Sequence, residues 1–160
     1  MQRVCLSLLR FCLSAWLGIA VFFVLVVIDL RSSALFPESV KFEHPKVLFP
    51  LYYGCEFALL GPSLLFAVAG VWNVRLGRGR RLAILQLVIL ALALAIWDYA
   101  AVYQRLLDMM TAPPPLPAEF HTLHRISRHV NELLVTATAV AAVLAFLPER
   151  NEAHTPVTTS

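Results

Sequence analysis

Charged side chains are scarce in this chain. Only 14% of its 160 residues are Asp, Glu, Lys or Arg, whereas 59% are hydrophobic. This balance is too apolar for an ordinary soluble domain, and the connections between the hydrophobic stretches leave no room for a separate one. The sequence therefore predicts an integral, multi-pass membrane protein whose main partner is the lipid bilayer.

Cysteine is also rare, and the three cysteines are not spaced for metal or redox chemistry. Cys5 and Cys12 share one apolar stretch while Cys55 lies in another, so no CxxC pair is present. The sequence lacks a GxSxG elbow, an HExxH helix, a P-loop and a GxGxxG fingerprint. We therefore expect a protein that is not an enzyme. Because no extended basic face with interleaved aromatics exists, we also expect no nucleic-acid partner.

Four stretches reach the roughly 20 apolar residues that an α-helix needs to cross a hydrocarbon core. They cover about residues 4–28, 47–72, 82–103 and 130–147. The first run is longer than the roughly 7 to 15 apolar residues of a signal peptide and has no clean cleavage site, so we interpret it as a retained helix. The sequence predicts an all-α, four-helix up-and-down bundle over residues 1–147, with a disordered tail at 148–160.

Basic residues in short links predict the orientation. The tight link between the second and third stretches is crowded by four arginines: Arg75, Arg78, Arg80 and Arg81. Under the positive-inside rule this link is cytoplasmic, and Arg3 and Arg10 lie on the same side. Both termini are therefore predicted to be cytoplasmic. In a bacterium, the protein is expected in the inner membrane.

Two acidic residues lie inside the predicted spans. Glu56 is early in the second span and Asp98 is late in the third, so both lie about five residues, or roughly 7 Å, from the same face of the membrane. A carboxylate at this depth is costly and marks a candidate functional site.

A polar segment leads into the fourth span and is helical in period. At about 100° per residue, one stripe contains His121, His124, Arg125, Arg128 and Glu132. We expect this stripe to face the two buried carboxylates. The predicted polar cluster contains Glu56, Asp98, Arg105, His124, Arg125, Ser127, Arg128, Asn131 and Glu132. Two interpretations stay open: the cluster clamps the outer helix ends, or it binds a small ligand or ion.

The histidines suggest an alternative function. His121 and His124, spaced i and i+3, are candidate copper or zinc ligands. No histidine lies in the first three spans, which disfavours a haem held between facing helices. We therefore expect no cofactor, and a copper- or haem-related protein centred on His124 is the alternative.

The loops and small residues give further expectations. The loop at residues 30–46 is predicted to be a partly ordered cap, and the prolines at residues 113–117 a stiff spacer. Two pairs have the small-xxx-small spacing of close helix contacts: Ser14 with Gly18, and Gly54 with Ala58. A homo-oligomer or a partner in a membrane complex stays open.

Several short motifs resemble a known family. The fourth stretch contains Phe120-x-x-Leu123-His124-Arg125-x-Ser127-x-x-x-Asn131, and the earlier ones contain Trp16-x-Gly18 with Phe22-Phe23, Phe49-Pro50-x-Tyr52-Tyr53, and Tyr103-x-Arg105. In this order they resemble the transmembrane protein 205-like domain family, over about residues 9–147. The resemblance implies a four-helix membrane protein without a defined reaction. By analogy, its fold is similar to that of copper-handling and porphyrin-oxidising proteins.

Overall fold

The computed structural model describes residues 2–70, 76–112 and 116–148. Within these ranges every regular element is helical, and four long helices follow one another. They are Gln2–Ser32, Glu38–Gly70, Arg78–Thr111 and Glu119–Phe146. All four are long and apolar enough, by length and composition, to cross a membrane. The predicted all-α class with four such helices is confirmed.

The helices run alternately up and down. Phe49, early in the second helix, contacts Phe23, late in the first, and Tyr103, late in the third. At the opposite end of the bundle, Arg80 at the start of the third helix bonds to Leu144 near the end of the fourth. The first and third helices each pack against both the second and the fourth. The bundle is therefore antiparallel, with its helices arranged in a closed ring.

The second helix begins earlier than the sequence predicts. It starts at Glu38, so most of the predicted loop at residues 30–46 is helical and the connection shrinks to residues 33–37. The carbonyl of Pro37 accepts the first backbone bonds of this helix, and an i,i+3 ion pair between Glu38 and Lys41 adds to its surface. The prediction failed because this polar turn falls outside the hydrophobic stretch that marks a span.

The fourth helix begins at Glu119, where its polar period begins, and ends at Phe146. Leu147 and Pro148 follow without helical structure. The prolines at residues 113–115, most of the predicted spacer, lie outside the described residues. So do residues 149–160, which make up nearly all of the predicted tail.

Small buried side chains lie between the third and fourth helices. Ala91 and Ala95 share one buried cluster with Ala137, and Ala141 and Ala145 share another with Ile84 and Val88. Between membrane helices, such small residues let the backbones approach closely.

The two small-residue pairs that the sequence singled out make no such contacts within the part of the chain that the structure describes. Ser14, Gly18, Gly54 and Ala58 all lie on exposed faces, and a Cβ added at either glycine meets nothing within 4 Å. The spacing alone did not reveal which face of each helix is buried. The expectation of close intramolecular packing at these pairs is therefore corrected.

Arginines hold the other end of the fourth helix. The Arg80 guanidinium donates to the carbonyls of Leu144 at 2.6 Å, Leu147 at 2.6 Å and Pro148 at 2.8 Å, and Arg10 donates to Ala145 at 2.8 Å. The last carbonyls of a helix have no partner within the helix and carry partial negative charge. Two cations from two other helices therefore cap this terminus.

Substituting Arg80 with Ala is expected to lower the unfolding free energy by about 1 to 3 kcal/mol, because bonds from a charged donor to several terminal carbonyls are lost. Arg78→Ala is the matched control, since Arg78 is exposed at the start of the same helix. Thermal unfolding in mild detergent measures both. An equal loss in the two variants contradicts the capping role.

Candidate functional site

One buried carboxylate joins three helices. Asp98, only 1% exposed, accepts three hydrogen bonds on a single oxygen, Oδ2. The donors are the hydroxyl of Tyr53 at 2.7 Å, the hydroxyl of Ser127 at 3.0 Å and the amide of Asn131 at 2.9 Å. We call these four residues the Asp98 network. Because Tyr53 lies on the second helix and the other two donors lie on the fourth, the network ties both helices to the third.

A π-helical turn sets the position of Asp98. The third helix changes from α-helical to π-helical at Asp98–Tyr103 and returns to α-helix at Gln104. The amide of Gln104 bonds to the carbonyl of Tyr99, five residues earlier. The wider turn directs both Asp98 and Tyr103 into the core. Such turns are often found at functional sites.

Asn131 extends the network towards the second helix. Its side-chain oxygen accepts a bond from the Tyr52 hydroxyl at 3.0 Å, while its amide nitrogen donates to Asp98 and also to the backbone carbonyl of Ser127 at 3.0 Å. The Tyr52 ring packs against Trp16 and Phe23 of the first helix, with centroids 5.1 and 4.3 Å away. Asn131 thus connects the carboxylate to an aromatic layer that reaches the first helix.

Glu56 lies in the same region without a protein partner. It is fully buried, and neither of its carboxyl oxygens has a hydrogen-bond partner among the described residues. Three further buried atoms share this state: Oδ1 of Asp98, Nε1 of Trp16 and the Tyr103 hydroxyl. Glu56 lies about one helical turn after Tyr52 and Tyr53, which belong to the site. An unpaired buried polar group costs about 1 to 3 kcal/mol, so Glu56 lowers the stability of the folded protein.

A cavity of about 510 Å³ lies at this end of the bundle, which we call the end cavity. All four helices contribute to it. Its walls are largely apolar and include Phe23, Val27, Ile28, Leu48, Leu106, Met110 and Phe120. Tyr52, Tyr53, Ser127 and Asn131 form its floor, directly over Asp98. Volume and lining are typical of small-molecule sites, which span roughly 300 to 1,000 Å³.

The structure divides the predicted polar cluster into separate places. Glu56, Asp98, Ser127 and Asn131 lie in the buried site. His124 and Arg128 line the end cavity from its exposed side. Arg105, Arg125 and Glu132 are exposed and do not line it; the Glu132 carboxylate lies 3.6 Å from Nε of Arg128, a surface pair of small energetic value.

The predicted stripe does not face the two carboxylates. The buried face of the fourth helix is instead formed by Leu123, Ser127, Val130 and Leu134. The charged residues fall on the neighbouring, exposed face because the bundle buries the polar groups it can hydrogen-bond and leaves the larger charges outside. The expectation of guanidinium groups opposite Glu56 and Asp98 is corrected accordingly.

Several site residues were missing from the predicted cluster. Tyr52 and Tyr53 precede Glu56 by four and three residues, a spacing that places all three on one helix face and was a usable signal. Trp16 had no such signal, since an aromatic residue in an apolar stretch is ordinary core. Tyr103 joins the site only because of the π-helical turn.

The candidate metal ligands His121 and His124 both line the end cavity. The ring of His124 stacks on Phe120, with centroids 6.1 Å apart and planes 2° from parallel. Among the described residues, no group of three or more His, Cys, Asp or Glu side chains is arranged to hold a metal ion.

No family model, curated protein or solved structure matches this chain. The features that bear on its function are therefore the Asp98 network, Glu56 and the end cavity.

Replacing each buried carboxylate is expected to change stability in opposite directions. Glu56→Met removes two unpaired oxygens and should raise the unfolding free energy by about 1 to 3 kcal/mol. Asp98→Leu leaves the donors Tyr53, Ser127 and Asn131 without their acceptor and should lower it by at least about as much. Thermal unfolding of both variants in the same detergent measures the signs. A destabilised Glu56→Met protein contradicts the unpaired state of Glu56.

Proposed function

We propose that this chain is a non-enzymatic, multi-pass membrane protein that binds a small, largely apolar ligand in the end cavity. The observation that carries the proposal is the position of that cavity directly over a hydrogen-bonded floor. Tyr52, Tyr53, Ser127 and Asn131 all line it, and all four belong to or extend the Asp98 network. An apolar pocket with a few convergent polar groups is the usual form of a ligand site.

The network supports this function by keeping the floor rigid. Tyr53 is held by its bond to Asp98, and Tyr52 by its bond to Asn131 and by the rings of Trp16 and Phe23. These tyrosine rings are therefore not free to swing into the cavity. A binding site is more selective when its contact residues are fixed by such supporting bonds.

Clamping and binding are compatible in this arrangement. The Asp98 network joins the second, third and fourth helices at a depth below the cavity. The helix ends beyond it, from Phe23 to Arg31 and from Lys41 to Phe49, border open space. The bonds that stabilise the bundle therefore lie deeper than the end cavity and leave it open between the helix ends.

The motif residues of the family resemblance support a common site. Those that line the end cavity or contact its floor are Trp16, Phe23, Phe49, Tyr52, Tyr53, Tyr103, Phe120, His124, Ser127 and Asn131. Motifs from four distant segments thus converge on one place. This convergence is the reason to propose membership of the transmembrane protein 205-like family.

We also propose that both termini face the cytoplasm and that the end cavity opens on the opposite side. The Arg10 and Arg80 caps lie together at the end away from the cavity, where the second helix ends at Gly70 and the third begins at Arg78. This grouping of arginines fits the positive-inside rule.

Cysteine labelling tests the orientation. In a variant whose three native cysteines are replaced by alanine, Thr111→Cys should react with a membrane-impermeant maleimide on intact cells, whereas Gly79→Cys should react only after lysis. Both positions are exposed at opposite ends of the third helix. The reverse labelling pattern contradicts the proposed orientation.

Filling the end cavity tests the binding function. Val27 lines the cavity and its neighbour Val26 does not, so Val27→Trp and Val26→Trp form a matched pair on one helix. Native mass spectrometry of protein extracted from membranes is expected to show a retained small molecule in the wild type and in Val26→Trp. Its occupancy in Val27→Trp should fall by about tenfold or more, which corresponds to about 1.4 kcal/mol. Equal occupancy in both variants, or none in the wild type, contradicts the function.

A further inference from the structure

We infer that the ligand of the end cavity is an anionic amphiphile, whose negative head group lies at Arg31 and Lys41 and whose apolar tail reaches the floor at Tyr52. Arg128, on the exposed side of the cavity, supplies a third cation. We call the three basic residues the cationic rim. The inference rests on the proposed binding function and adds the chemical class of the ligand.

The cavity changes in polarity along its depth. On the first helix its lining runs from Arg31 to Phe23, and on the second from Lys41 to Tyr52. At 1.5 Å per residue these segments span about 12 to 17 Å. Both helices thus place a cation near the mouth and an aromatic ring at the floor. A ligand that matches this lining is charged at one end and apolar along the rest.

The charge that lines the cavity is of one sign. The cationic rim supplies three basic side chains, with Arg31 and Lys41 near the mouth and Arg128 on the exposed side at the depth of the floor. Among the residues that the structure describes, no Asp or Glu lines the cavity. Arg31 makes no hydrogen bond or salt bridge within the described part of the chain. A surface with cations on several elements and no acid within it attracts anions.

Two rim residues have partners outside the cavity, but these contacts are weak. Lys41 pairs with Glu38 at 2.9 Å, and the Glu38 side chain is 89% exposed. Arg128 lies 3.6 Å from Glu132, and both of these side chains are more than half exposed. Exposed pairs of this kind contribute little. An anionic head group can therefore compete with the acidic partner of either cation. Binding to Arg31 displaces no such partner.

The polar groups of the floor already have hydrogen-bond partners within the protein, so the ligand does not need to supply one. The Tyr52 hydroxyl already donates to Asn131, and the amide of Asn131 already donates to Asp98. What these residues present to the cavity is largely ring and carbon surface, continuous with Leu48 and Leu106 on the walls. The deep part is therefore suited to an apolar tail.

Four probes separate the head group from the tail. Laurate, dodecanol and dodecylamine share one tail and differ in charge, and acetate has the carboxylate without the tail. Their binding to the full-length protein in non-ionic detergent is measured by native mass spectrometry. Laurate is expected to bind at least about tenfold more tightly than dodecanol, because hydrogen bonds to charged groups are about twice as strong as neutral ones. Dodecylamine and acetate are expected to bind more weakly still.

Arg31→Gln identifies the rim as the source of this preference. It should weaken laurate binding by about tenfold and leave dodecanol binding within about twofold. Arg105→Gln is the matched control, because Arg105 is exposed and does not line the cavity. This control removes the same charge from the protein, so it should bind laurate like the wild type. Higher salt should weaken laurate binding to the wild type more than to Arg31→Gln.

The outcomes distinguish the two proposals. Equal binding of laurate and dodecanol, or equal loss in the two arginine variants, overturns the anionic class but leaves a ligand-binding cavity. Acetate binding as tight as laurate overturns the need for a tail. If no probe binds more tightly to the wild type than to Val27→Trp, both the ligand class and the binding function are contradicted.

Discussion

The structure depends on one carboxylate oxygen that three side chains from two other helices satisfy. A carboxylate inside an apolar bundle is tolerated only when donors surround it. Oδ2 of Asp98 therefore requires Tyr53 on the second helix and Ser127 and Asn131 on the fourth to stay in place. The three donors lie in the first halves of their helices and Asp98 lies in the second half of its own, as expected in an antiparallel arrangement.

The two ends of the bundle differ because different interactions hold them. At one end Arg80 and Arg10 bond to the last carbonyls of the fourth helix, and small and aliphatic residues such as Leu13 and Ala141 fill the space between the helices. At the other end the Asp98 network joins the second, third and fourth helices, and beyond it the third and fourth helices pack through Leu106, Met110 and Leu123 beside the cavity. The polar floor of the end cavity belongs to the interaction that holds the helices together.

Composition and the cost of buried charge were enough to predict four helices and to single out Glu56 and Asp98. Ser127 and Asn131 were included as well, because they belong to the motif of the fourth helix that carries the family resemblance. The buried face of the fourth helix was not predicted correctly. A stripe of polar residues such as His124, Arg125 and Arg128 is as typical of a solvent-exposed helix face as of a functional site. No local sequence pattern predicts a π-helical turn, so the burial of Tyr103 by such a turn could not be predicted.

A double-mutant cycle between Tyr53 and Asp98 tests the central claim most directly. Tyr53→Phe, Asp98→Leu and the double variant are compared with the wild type by unfolding in one detergent. If the hydroxyl of Tyr53 donates to Asp98 in the folded protein, the two losses are not additive and the coupling energy is about 1 kcal/mol or more. A coupling energy near zero contradicts the account, because the two side chains then act independently.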